Sequence, residues 1–219
     1  MTKMKNSLVL GSILAATVMS STAVAGSPLT GNVGIMSDYF FRGVDQEASA
    51  TANGGLDYDL GNGLTLGAWV ADMNAGIEAD LYGAFSGEIN QFSYSVGFTT
   101  YQYSSDVFDN ATEINLHVGT GPISLEYSIG SIDSSPSSDY TFLALTFEKD
   151  GAYATYGTFG SDADGSFIEI GYGMEVSGIG LGIAIIGADE DLSVIDEDGD
   201  NLTDSEVSMV MSLSKSFDL

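Results

Sequence analysis

Hydrophobic and polar residues alternate with a period of two along most of this chain. Around residue 80, Leu81 and Phe85 fall on one face, whereas Glu78 and Asp80 fall on the other. The same alternation returns in residues 92–99, 113–118, 123–130 and 167–174. Helical periodicity is hard to find in the same windows. The pattern therefore predicts a protein made almost entirely of strands, each with one apolar face and one polar or small face.

Counting these segments gives about twelve strands. Their predicted bounds are 29–42, 48–60, 64–73, 77–87, 91–103, 111–120, 122–131, 139–148, 152–160, 166–176, 179–188 and 206–218. Tight turns are predicted at Gly61-Asn62-Gly63, Glu88-Ile89-Asn90, Gly121-Pro122, Lys149-Asp150-Gly151 and Ser177-Gly178. Longer loops are predicted around Asp45, Asn74, Asp106 to Asn110, Asp133 to Asp139, Asp162 to Gly165, and Asp189 to Asp204.

Short turns and longer loops thus alternate along the predicted chain. This alternation and an even number of strands are typical of an up-and-down barrel that spans a membrane. The predicted fold class is all-β, an antiparallel up-and-down transmembrane β-barrel of about 12 strands. The apolar faces would meet lipid, and the polar faces would line the interior.

Aromatic residues cluster by height in this strand map and predict two interfacial girdles. The proposed external girdle contains Phe40, Phe41, Tyr101, Tyr103, Tyr140 and Phe159. The periplasmic one contains Phe85, Phe92, Tyr94, Phe147, Tyr153 and Phe217. The ordinary preference of strands for Tyr and Phe is the alternative explanation.

The first 25 residues have the features of a cleaved signal peptide. Two lysines precede an apolar stretch, and Ala23-Val24-Ala25 supplies small residues before the expected cleavage site. We therefore expect a signal peptide at 1–25 and one barrel domain at 26–219, placed in the outer membrane of a Gram-negative bacterium after export through the periplasm. The stretch is short for a membrane-spanning helix.

Acidic residues dominate the charge of the predicted mature chain. Without the signal lysines, Arg42, Lys149 and Lys215 stand against 31 acidic residues. Such a charge excludes nucleic acid as a partner. It reflects either an acidic interior and acidic loops or adaptation to a salty habitat. Cysteine is absent, so disulfides and thiolate metal sites are excluded.

The polar strand faces supply the candidate site. The residues predicted to line the interior are Asp38, Arg42, Glu78, Asp80, Glu113, His117, Glu126 and Glu169. Carboxylates along a narrow aqueous path favour cations. The alternative is an interior closed by side-chain networks and by ion pairs of Arg42, with Asp38 or other inward acids as partners. A solvated loop arginine is a further alternative.

The single histidine, His117, argues against an enzyme. One histidine cannot form a multi-histidine metal site, and its strand position points it inward, away from lipid, where a membrane-embedded lipase would need it. No catalytic residue and no organic cofactor are predicted.

One acidic segment resembles a calcium loop. Asp196, Asp198, Asp200 and Asp204 space oxygen ligands in a way that partly fits Ca²⁺. However, Asn201 stands where an EF-hand has glycine, and no helices flank the segment. An acidic, solvated external loop is the alternative.

Residues 31–44, GNVGIMSDYFFRGV, resemble the opening pattern of the TorF-type family of bacterial porins. Further resemblance lies at Gly55 to Tyr58, Gly67 to Val70 and Glu78 to Gly83, and at Ser214 to Phe217 near the C-terminus. Phe40 stands where the family pattern has arginine. The resemblance implies an outer-membrane barrel that acts as a porin with no defined substrate.

Two functions from different classes remain open. One is a porin for passive diffusion of small solutes, biased towards cations. The other is a non-conducting structural or adhesive barrel that presents acidic loops. Both imply outer-membrane lipid and the barrel-assembly machinery as partners, the latter through the last strand. A secreted, soluble β-sandwich is the weaker alternative fold.

Overall fold

Twelve antiparallel strands form one closed sheet in a computed structural model that describes residues 27–73, 76–105, 108–192 and 207–219. The strands are β1 (Leu29–Phe41), β2 (Val44–Gly61), β3 (Leu64–Met73), β4 (Gly76–Ile89), β5 (Phe92–Tyr103), β6 (Ala111–Thr120), β7 (Ile123–Ile132), β8 (Ser138–Lys149), β9 (Ala152–Ser161), β10 (Ser166–Val176), β11 (Ile179–Ala188) and β12 (Ser208–Asp218). A short 3-10 helix, Glu190–Leu192, follows β11. The predicted signal peptide lies outside the described residues.

Each strand pairs with its neighbours in sequence, and β1 pairs with β12 to close the ring. In that closing ladder Ile35 is the register partner of Leu213, and Val33 is the partner of Lys215. Closure leaves no strand edge with unpaired backbone groups, which is the condition for placing strands in hydrocarbon. The predicted twelve-stranded barrel is confirmed.

Five tight turns lie at one end of the barrel, which we call the turn end. This end also holds the first residue of β1 and the last of β12. Asp150-Gly151 and Ser177-Gly178 show why these sequences turn, since both residues of each pair have positive φ. Two successive positive φ values give the turn twist that matches the twist of paired strands, and glycine adopts such a φ without strain.

The opposite end, which we call the loop end, departs from the prediction. No long loop surrounds Asp45, because β2 begins at Val44 and Asp45 is the register partner of Phe40. The loop predicted at Asn74 falls on a residue outside the described part, but Met73 and Gly76 are register partners and only two residues separate them. Long and short connections therefore do not alternate strictly.

The outside of the barrel is apolar. Leu81, Leu116, Leu125 and Ile170 are exposed on it, whereas Glu78 is fully buried in the interior. Large exposed side chains of this kind occur on every strand, which is the pattern expected of a surface that faces lipid. Among the described residues, no helix is long and apolar enough to cross a membrane.

The predicted external aromatic girdle is wrong. Phe40, Tyr101 and Tyr140 are buried, and Phe41, Tyr103 and Phe159 are half-buried in interior clusters. The girdle predicted at the turn end is partly right. Exposed aromatic residues of that group are Phe85, Phe92, Phe147 and Phe217. Tyr94 is half-buried, and Tyr153 is buried because it shares the inward face of β9 rather than the outward one.

Candidate functional site

The β1–β2 hairpin bends into the interior of the barrel near the loop end. Its strands pair regularly as far as Asp38 and Ser49, and there the register shifts by a bulge in β2. A bulge of this kind bends a strand and increases its twist. The hairpin then closes through Arg42-Gly43, a two-residue turn in which both φ values are positive, at 51° and 82°. We call residues 39–48 the hairpin tip.

Arg42, in the hairpin tip, contacts the strands on the opposite side of the barrel. Its Nη1 and Nη2 donate to the two carboxylate oxygens of Glu113 on β6, at 2.9 and 3.0 Å. Nη2 also donates to Glu126 Oε1 and to Ser128 Oγ on β7. Since β7 lies six strands from β1 in a ring of twelve, the tip spans the interior. Of the alternatives left open for Arg42, the structure shows ion pairs with inward acids, and the partners are Glu113 and Glu126 rather than Asp38. The alternative of a solvated loop arginine is wrong, because Arg42 is buried.

Glu113 is the centre of a dense polar network. The hydroxyls of Tyr101 and Tyr140 donate to its two oxygens at 2.7 and 2.8 Å, and Asn115 Nδ2 donates to Oε1. Thr99 in turn donates to Asn115 Oδ1 at 3.0 Å. A buried carboxylate is tolerated only when its lone pairs are satisfied in this way. The network therefore fixes one arrangement of β5, β6 and β8 around the arginine.

Aromatic rings enclose the guanidinium group as well. The Cζ atom of Arg42 lies 4.1 Å from the ring centroid of Phe142 and 4.8 Å from that of Phe41. Both distances are within the range of cation–π attraction. A Cβ on Gly43 would come within 2.6 Å of Phe167, so the tip approaches β10 too closely for a side chain at this position. The tip thus fits its surroundings on several sides.

A second pair of carboxylates, Glu78 and Asp80, lies on the inner face of β4. Both are fully buried, at 0% and 1% exposure. Glu78 accepts a 3.1 Å hydrogen bond from the hydroxyl of Tyr39 on the hairpin tip. The other oxygen of Glu78 and both oxygens of Asp80 have no hydrogen-bond partner among the described residues. Among the described residues, no basic side chain forms an ion pair with either carboxyl group of this pair.

Two further carboxylates of the interior pair with tyrosines. Tyr153 donates to Glu169, and Tyr82 donates to Asp57 at 2.7 Å. Glu169 is among the predicted lining residues, but Asp57 is not. The place of Asp57 on the inner face of β2 follows from the alternation Leu56, Asp57, Tyr58. Asp38 and His117, the remaining predicted lining residues, are half-buried. In the described part of the chain, Arg42 is the only buried basic side chain.

The residues that sequence analysis missed are the tyrosines of the network. Tyr39, Tyr101 and Tyr140 each donate to an interior carboxylate, although two of them were assigned to a lipid-facing girdle. A signal was available for Tyr101, because it is two residues from Thr99 on the same face of β5. No such signal existed for Tyr39, which lies on the outward parity of β1.

The calcium hypothesis concerns residues beyond the described part of the chain. Asp196, Asp198, Asp200 and Asp204 all lie outside it, so the hypothesis stays a prediction. Within the described ranges no group of three or more His, Cys, Asp or Glu residues is arranged to hold a metal ion.

Comparison with known proteins identifies a family and a fold. A family model described as "Bacterial protein of unknown function (Gcw_chp)" matches residues 20–217. The KdgM porin superposes with a TM-score of 0.56 at 8% identity, covering 87% of this chain and 99% of that one. A KdgM porin in complex with disordered oligogalacturonate gives a TM-score of 0.55 at 9% identity, covering 86% and 98%. No curated protein matches the chain. At such identities the likeness shows the porin fold alone.

Proposed function

Because the chain belongs to the Gcw_chp family of bacterial proteins of unknown function, we propose a function from its own barrel. The protein is an outer-membrane channel for the passive diffusion of small solutes, and it favours cations. The single observation that carries this proposal is the charge of the interior. Glu78, Asp80, Glu113 and Glu169 are buried there with Arg42 as the one buried base among the described residues.

The charge favours cations for an electrostatic reason. Fixed carboxylates in a narrow, low-dielectric passage raise the local concentration of cations and exclude anions. One KdgM structure contains oligogalacturonate, which is a polyanion. An interior with this excess of carboxylates would repel such a ligand, so we propose that the shared fold serves solutes of the opposite charge here.

The hairpin tip limits the size of the solute. It occupies the interior near the loop end, where Arg42 reaches Glu113 across the barrel. We propose that a passage remains beside the tip and that only small solutes cross it while the tip is in place. The non-conducting structural or adhesive barrel is the competing function, and it differs from the channel in a measurable way.

Planar-bilayer recording of the refolded protein tests the proposal. We expect reproducible unit conductance and a reversal potential biased towards the cation in a KCl gradient. Glu78→Gln, Asp80→Asn and Glu126→Gln should each reduce this bias, because each removes an interior charge. Glu88→Gln is the matched control, since Glu88 is an exposed acid near the turn end and its loss should leave the bias unchanged.

Two results would contradict the proposal. Folded protein that inserts without unit conductance would favour the non-conducting barrel. An ion preference unchanged in all three interior variants would remove these carboxylates from the role assigned to them. Heat-modifiable migration of membrane-extracted protein checks the barrel itself and excludes a soluble β-sandwich.

The route to the membrane completes the proposal. We propose cleavage after Ala25, export through the periplasm, and recognition of β12 by the barrel-assembly machinery. The resemblance to TorF-type porins supports the same route. N-terminal sequencing of protein from outer-membrane fractions should begin at Gly26.

A further inference from the structure

The carboxyl groups of Glu78 and Asp80 lack most of their hydrogen-bond partners among the described residues. Three of their four carboxylate oxygens are buried with no hydrogen-bond partner in the described structure, namely Glu78 Oε2, Asp80 Oδ1 and Asp80 Oδ2. Burying an ionised carboxylate without a partner is strongly unfavourable. A stable fold therefore requires a partner for these oxygens, which can be a cation, a proton or water.

None of the three described basic side chains forms an ion pair with Glu78 or Asp80. The guanidinium group of Arg42 donates to Glu113, Glu126 and Ser128. Lys149 and Lys215 are exposed at the turn end. Compensation must therefore come from a bound ligand, from water or from a proton on one of the two carboxyl groups, which lie two residues apart on the inner face of β4.

Aromatic side chains surround the pair. In cross-strand register Asp80 lies between Trp69 and Tyr101, and Glu78 is the partner of Tyr103. Tyr39 of the hairpin tip packs edge-on against Trp69, with ring centroids 5.7 Å apart, and donates to Glu78. Aromatic faces attract organic cations and accommodate the carbon atoms attached to them.

We propose that Glu78 and Asp80, with Tyr39, Trp69 and Tyr103, form a binding site for a primary alkylammonium group. An ammonium head has three N–H donors, and the pair has three acceptor oxygens without a partner. A calcium ion would need six to eight oxygen ligands, of which two carboxylates supply at most four, and among the described residues no third acidic side chain joins them. The proposal deepens the proposed function by naming the class of solute. The proposal rests on the proposed function only for the route by which the amine reaches the site. Binding at equilibrium does not depend on that route.

Trp69 provides the measurement, because it is the only tryptophan of the chain. The protein, refolded in detergent, is titrated with n-butylammonium chloride while Trp69 fluorescence is recorded. We expect a saturable change. Neutral n-butanol, which has the same tail, and tetramethylammonium, which lacks N–H donors, should give no saturable change at matched ionic strength.

Variants locate the site. Glu78→Gln and Asp80→Asn should each weaken n-butylammonium binding by at least about tenfold, because each removes a charge-assisted hydrogen-bond acceptor. Glu169→Gln is the matched control, since Glu169 is also a buried inward acid but already accepts a hydrogen bond from Tyr153. It should bind like the wild type. If an acidic variant fails to fold, Tyr39→Phe is the second test: it keeps the ring and frees Glu78 Oε1 as a further acceptor, so it should change the affinity for n-butylammonium.

Three outcomes would overturn the proposal. Saturable binding of CaCl₂ that displaces n-butylammonium would show a metal site. A response equal for n-butylammonium and tetramethylammonium would show a purely aromatic site. No saturable response in folded wild-type protein would show that water or a proton, rather than an amine, is the partner of these carboxyl groups. That last result says nothing about conductance, so the binding site can be disproved while the proposed channel function still stands.

Discussion

Arg42 and Glu113 join the tip of the first hairpin to the far side of the barrel through two parallel hydrogen bonds of 2.9 and 3.0 Å. The pair is buried on both sides, with side-chain exposures of 6% and 0%. It links residues 71 positions apart in the chain. The hairpin tip is therefore held in the interior by this contact, by the polar network around Glu113 and by the packing of Tyr39 and Phe40 in a buried apolar cluster.

The first prediction concerns the loss of this cation. Arg42→Met keeps an apolar stem against Phe142 but leaves Glu113 and Glu126 without their partner. We expect a loss of about 3–5 kcal/mol in the free energy of unfolding, the usual cost of leaving a buried charge unpaired. Urea titration of the refolded barrel measures it. Lys215→Met, which removes an exposed cation on β12, should change the unfolding free energy little.

The second prediction concerns coupling between the two partners. The double variant Arg42→Met, Glu113→Gln should be more stable than Arg42→Met alone, because the neutral amide no longer needs a cation. Its carbonyl can still accept from Tyr101 or Tyr140. A double-mutant cycle in urea measures the coupling energy. Additive effects of the two substitutions would show that the observed contact contributes no energy of its own.

The third prediction concerns the turn that closes the hairpin. Gly43→Ala should weaken the packing of the hairpin tip against the barrel interior, because a Cβ there would lie 2.6 Å from Phe167 and φ is +82°. We expect a loss of about 1–3 kcal/mol from overpacking, together with a larger unit conductance as the tip is displaced. Gly178→Ala is the control. Its φ of +76° is similar, but nothing lies within 4 Å of the new Cβ.

The two glycine variants separate backbone strain from steric displacement. Both should lose about 1–2 kcal/mol from a left-handed alanine, but only Gly43→Ala should alter conductance. Equal conductance changes in both variants would contradict the assignment of the hairpin tip as the constriction.

The fourth prediction concerns the lipid-facing surface. Leu81 lies within β4 and is 54% exposed on the outside of the barrel, and Ile89 ends the same strand at the turn end. Leu81→Arg should destabilise folding into lipid vesicles by about 2–4 kcal/mol, and Ile89→Arg by about 0–1 kcal/mol, because the cost of a charge falls towards the interface. Equal losses in detergent and in lipid would indicate a protein core rather than a bilayer at Leu81.

Much of the barrel was predictable from short stretches of sequence. Most predicted strand bounds lie within two residues of the observed ones, and Glu78, Asp80 and Glu113 are on the inner face as predicted. Each of these inferences needs only the alternation within one strand. The start of β2 was predicted four residues late, although Arg42-Gly43 has the same residue-glycine form as the turn Ser177-Gly178.

The sequence alone determined the strand number and the inward or outward side of most residues, because alternation is a local property of an extended chain with one buried face. Tertiary structure alone decided the site. Once the hairpin tip lies inside the barrel, both of its faces are enclosed, so Tyr39 and Phe40 are both buried although they are consecutive. For such a segment, the alternation of hydrophobic and polar residues does not predict which side chains are buried. The contact between Arg42 and Glu113 depends on the bend of one hairpin across a closed ring, and no single strand encodes that bend.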